Sequence, residues 1–97
     1  MKETGRFETP HASKYLQQLC KHFSHKTEVT FDASSGRVAL SQGPATLAAD
    51  DAALTVEITA SDVEGLAKAR HVFDAHLARF AFREEFNGFE WKAVEAA

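Results

Sequence analysis

The sequence predicts a two-layer α+β domain, with an antiparallel sheet of about five to six strands carrying two helices on one face. Three observations lead there. Two segments repeat apolar residues at helical period, the stretch between them alternates with period two across short turns, and the alternation returns near the C-terminal end. The resulting order is strand, helix, four strands, helix, strand. Two amphipathic helices and a half-wet sheet can all bury their apolar sides if both helices pack on one sheet face.

Taken in order, "TGRFET" (Thr4–Thr9) is the first strand. Thr9-Pro10 then opens a helix, because Thr supplies an N-cap oxygen and Pro fits the first helical position. "PHASKYLQQLCKHFS" sets Ala12, Leu16, Leu19 and Phe23 on one stripe and ends near Ser24–Lys26, where cations suit the negative helix end. "TEVTFD" turns Val29 and Phe31 inward, and Asp32–Gly36 makes a hairpin-type turn. "RVALS" puts Val38 and Leu40 on one face. Gln42-Gly43-Pro44 turns the chain into "ATLAA", and Asp50-Asp51 turns it into "ALTVEIT", where Leu54, Val56 and Ile58 alternate.

Ser61-Asp62-Val63-Glu64 reads as an S-x-x-E capping box that opens a second helix to about Phe80. Its stripe is Leu66, Ala69, Phe73, Leu77 and Phe80. Asn87-Gly88 then turns into a last strand alternating Phe89, Trp91 and Ala93. No linker or repeat divides the chain, so residues 1–97 are expected to form one domain.

Composition limits the function classes. A chain of 97 residues has a thin interior, so its eight Phe and single Trp are needed to build it. The net charge is −3, split as +2 over residues 1–44 and −5 over 45–97. The basic residues Arg6, Lys14, Lys21, Lys26 and Arg37 are too sparse to track phosphates, so no nucleic-acid partner is expected. "MKETGRFETP" has no apolar leader core and no run is long enough to cross a bilayer, so no membrane association is expected. A single cysteine cannot form an internal disulfide, which points to a reducing cytoplasm.

"LCKHFSHK" concentrates the chemistry: Cys20, His22 and His25 stand within six residues. On a continuous helix, at about 100° per residue, Cys20 and His22 project about 200° apart and cannot grip one ion. The C-x-H-x-x-H spacing also lacks a second pair, so no metal is expected. Cys20 lies beside the apolar stripe and reads as a buried thiol that acts as a small hydrophobe. A thiol-dependent enzyme or redox protein using Cys20 is the alternative, and it requires exposure and a nearby base.

His22 shares a helix edge with His11, Tyr15 and Gln18, a polar margin suited to the rim of a crevice. His25 suits the helix C-terminus, His71 faces outward, and His76 borders the second stripe as a hydrogen-bonded margin residue. In "RFAFREEF", Phe80 closes the core stripe, Phe82 staples the following turn, and Arg79, Arg83, Glu84 and Glu85 are solvated; a protein-docking surface is the competing reading. The candidate ligand-binding residues are Tyr15, Lys21, His22 and His25, with Arg83 as a second locus. No catalytic constellation and no cofactor fingerprint is present.

His11–Lys26, Phe31-Asp32, Gly36-Arg37-Val38, Leu47–Asp51 and Arg79–Glu84 together resemble the bacterial family called domain of unknown function 2218. The likeness covers nearly the whole chain and departs at Lys14, where the family pattern has Arg and its planar bidentate donation. The resemblance implies a cytoplasmic protein without an assigned activity. It also implies an association with siderophore-interacting flavin reductases, which a similar domain precedes. The expected function is therefore a non-catalytic binding or interaction module, accessory to iron–siderophore or redox metabolism. Its partner would be a protein or a small ligand, and pairing of edge strands such as "RVALS" into a homodimer is compatible with the sequence.

Overall fold

The computed structural model describes residues 1–84 and 86–94. Six strands form one antiparallel sheet: β1 (Lys2–Glu8), β2 (Val29–Phe31), β3 (Ser35–Leu40), β4 (Gly43–Ala49), β5 (Ala53–Thr59) and β6 (Glu90–Ala93). Two helices, α1 (Ala12–Phe23) and α2 (Val63–Phe80), complete the predicted order. The strands lie in the order β2-β3-β4-β5-β1-β6. The middle four thus form the expected meander, while β1 enters between β5 and β6. Gly5 sits opposite Val56 on one side and Trp91 on the other.

Both helices pack on the same sheet face, α1 across β2–β5 and α2 along β5. Leu54, Val56 and Ile58 of β5 are fully buried, as the alternation requires, and meet Leu16, Leu19 and Phe23 of α1 and Leu66, Phe73 and Leu77 of α2 in one cluster. Polar ties fix α2 to the sheet. Arg70 Nη1 bonds the Glu3 carboxylate at 2.6 Å. Asp74 accepts from the Phe89 amide at 2.8 Å and the Trp91 indole at 3.1 Å. Trp91 lies flat enough across Gly5 that a Cβ there would stand 2.7 Å from its ring. Gly88 makes the turn into β6 with φ of +123°, a conformation that favours glycine.

Local starts and ends correct the sequence reading at several points. α1 begins at Ala12, not Pro10, and its N-cap His11 makes no side-chain capping bond. The Thr9 hydroxyl accepts from the His11 amide at 3.1 Å and donates to Glu84 at 2.7 Å, so it closes a turn before the helix instead of capping it. α2 is capped by Asp62, one residue after Ser61: the Asp62 carboxylate accepts from the Gly65 amide at 2.7 Å. A charged oxygen suits the positive helix end better than a hydroxyl. The β3–β4 turn is Ser41-Gln42, and Gly43 and Pro44 already belong to β4. Pro44 is tolerated because pairing with β5 begins only at Thr46.

Two aromatic positions also differ. Phe31, expected inward, ends the three-residue edge strand β2 and stays 37% exposed. Phe82 staples nothing: it starts a single 3-10 turn (Phe82–Glu84) that points Glu84 inward and leaves Phe82 66% exposed. Glu85 and residues 95–97 lie outside the described residues.

Candidate functional site

α1 runs unbroken through Cys20 and His22, so the thiol and the imidazole leave the helix on different sides. Cys20 faces the sheet and is 0% exposed. A Cβ on Gly36 would stand 2.8 Å from its sulfur, so that glycine makes room for the thiol. Burial pushes the thiol pKa up to about 11, which suppresses the reactive thiolate. Alkylation of the folded protein by iodoacetamide is therefore expected to be far slower than that of a free thiol and to accelerate on denaturation. Rapid labelling of the native state would refute the buried assignment.

His22 instead meets α2. Its ring lies 4.7 Å from that of His76, centroid to centroid, and is edge-on to Phe80 at 6.2 Å. Val72 O can only accept, so the 2.6 Å contact makes His76 Nδ1 the donor and leaves Nε2 as the free lone pair in the neutral ring. The two imidazoles border a cleft of about 410 Å³ where the C-terminal end of α1, the middle of α2 and the β3–β4 turn converge. Phe23, Leu40 and Val72 give it an apolar wall, and Lys26 and Gln42 stand at its polar side. Desolvation lowers the His22 pKa, and the charges of His76, Arg79, Lys26 and His25 lower it further.

Two hollows are slightly larger, about 460 Å³ at the β2–β3 edge and about 440 Å³ over β2–β4. Neither has an imidazole or thiol among its lining residues, whereas the His22–His76 cleft combines apolar surface with convergent titratable groups. It is the better candidate.

The sequence-predicted rim splits in two. His22 lines the cleft, and His25 lies exposed just past the helix end. Lys21 is exposed on α1. Tyr15, seven residues before His22, belongs to the other end of α1: it is buried and its hydroxyl donates to the Glu84 carboxylate. Burial and the Glu84 charge raise the Tyr15 pKa to about 12, while the bond from Tyr15 lowers that of Glu84. The phenol is therefore a structural donor, sealed from the cleft. Arg83 is exposed, with its guanidinium 5.7 Å over the Phe82 ring.

Sequence reasoning missed Lys26 and Glu84 and gave His76 only its structural half. His22 and His76 both flank apolar stripes, a signal that could have paired them once the helices were placed on one sheet face. Among the described residues, no group of three His, Cys, Asp or Glu is placed to share a metal ion. No helix among the described residues is long and apolar enough to cross a membrane.

The family model described as an uncharacterized protein conserved in bacteria, DUF2218, matches residues 4–92. The NMR structure of PA4090 from Pseudomonas aeruginosa is similar throughout, with 27% identity, 98% of each chain covered and a TM-score of 0.79. No curated protein matches.

Proposed function

The chain belongs to DUF2218, a family of uncharacterized bacterial proteins, and from that premise we propose that it is a non-catalytic binding module whose ligand sits in the His22–His76 cleft. The supporting observation is the convergence of two imidazoles from different helices on a hollow with an apolar wall. Such a site gives a small ligand both desolvated surface and orienting polar atoms. Buried Cys20 weighs against a thiol enzyme, and Tyr15 serves the scaffold.

The wider placement, an accessory in the cytoplasm to iron–siderophore or redox metabolism, rests on the family resemblance and the lone cysteine. The segment "RVALS" is not an edge, since β3 lies between β2 and β4, so a homodimer made by strand pairing would use β2 or β6 instead.

A fragment library screened by ring-proton chemical shifts tests the cleft. Ligands are expected to move His22 and His76 together, and His22→Ala to weaken them while leaving the amide spectrum folded. A screen whose every hit perturbs only other surfaces rejects the site.

A further inference from the structure

The cleft carries positive charge without a compensating acid. His22 of α1, Lys26 just past its end and His76 of α2 line it, and the charges of His25 and Arg79 act on His22 from beside it. The β3–β4 turn contributes Ser41 and Gln42, which carry no charge, and no carboxylate is among the described lining residues. None of the ion pairs among the described residues engages Lys26 or Arg79. The His22 ring makes no hydrogen bond among the described residues, and His76 keeps Nε2 free once Nδ1 is tied to Val72. Three cations elsewhere do stand in ion pairs, Arg70 with Glu3, Lys2 with Glu57 and Arg6 with Glu8.

We infer that the cleft binds a small organic anion, an oxyanion head on an apolar body, and that the anion enters together with a proton taken up by His22. The inference rests on the cleft being a ligand site and names the class of ligand. Phe23, Leu40 and Val72 suit the apolar body; Lys26 and the ring nitrogens suit the head. In the empty cleft the charges of His76, Arg79, Lys26 and His25 all oppose a proton on the His22 ring. An anion between them reverses the sign of the local field, so that an imidazolium becomes a charge-assisted donor to it. No covalent bond changes: the proton comes from solvent and returns when the ligand leaves. A divalent metal meets the opposite balance, since it needs both rings neutral and is repelled by the same cations.

Benzoate and its neutral isostere benzamide separate the outcomes. Each is titrated into ¹⁵N-labelled protein at several pH values between about 5.5 and about 7.5, following the His22 and His76 ring signals. Benzoate is expected to shift both rings, with its affinity falling as pH rises toward a limit of about tenfold per unit, the slope for one proton taken up. Lys26→Gln, a change at an exposed position, should weaken benzoate severalfold with the amide spectrum otherwise preserved. Benzamide binding in the cleft as well as benzoate, with no pH dependence, overturns the anion inference and leaves the ligand site standing. Zn²⁺ perturbing both rings while benzoate does not overturns it in favour of a metal. If neither organic probe nor Zn²⁺ reaches the rings and the fragment screen also misses the cleft, the inference and the site fall together.

Discussion

Phe73→Ala is expected to lower the unfolding free energy by about 3–5 kcal/mol, the range for deleting a buried aromatic ring. Phe73 is 0% exposed and sits at the middle of α2, edge-on to Phe23 at 5.4 Å. The cavity would open in the core cluster that both helices share with the sheet. A second effect follows from position. Phe23 is also part of the cleft wall and lies 5.2 Å from the His76 ring, so losing Phe73 should loosen that ring. Urea unfolding measures the first effect, as a lowered midpoint at unchanged slope. Broadened His76 ring signals measure the second. A loss below about 1 kcal/mol would mean that Phe73 is not the keystone its burial indicates.

Glu84→Ala is the second large effect, about 1.5–3 kcal/mol, since it removes a charged acceptor from two hydroxyl donors. The Tyr15 and Thr9 hydroxyls both donate to Glu84, and both residues are buried. Its removal leaves the phenol and the threonine hydroxyl without an acceptor for their protons where β1, α1 and the 3-10 turn join. The same network sets two pH limits with opposite signs. The folded Glu84 pKa lies below its ordinary 4.5, so its stabilisation is present above 4.5 and lost as pH falls through the lowered value. The folded Tyr15 pKa is raised from 10.0 to about 12, so its stabilisation is present below 10.0 and lost as pH rises through about 12. Glu84→Gln should flatten the acid limb of a stability–pH curve, and Tyr15→Phe the alkaline one. Unaltered limbs in both variants would show that the network is loose in solution.

The meander and both helix stripes were legible because each element announces its buried side through one period. Leu54, Val56 and Ile58 could face only one way, and Leu16, Leu19 and Phe23 likewise. What the sequence did not reveal depends on contacts between distant residues. Thr9 looks like a helix cap until Glu84, 75 residues later, takes its hydroxyl. Phe82 and Phe86 look alike in the string, yet Phe86 packs on Phe7 at 4.8 Å while Phe82 faces solvent. The opposed directions of Cys20 and His22 followed from helix geometry alone. The joining of Tyr15 to His22 as one rim did not hold, because seven residues on a helix share a face but lie two turns apart along the axis.

The seat of β1 between β5 and β6 governs the order of folding. Lys2 pairs with Thr59, and its carbonyl accepts from the Val94 amide at 3.0 Å, so both neighbours of the earliest strand come late in the chain. Such distant pairing is slow to close, and the hairpins β2–β5 can assemble before it does. Until β6 arrives, the nascent sheet presents a bare flank, and intermediates trapped there would be the species that aggregate.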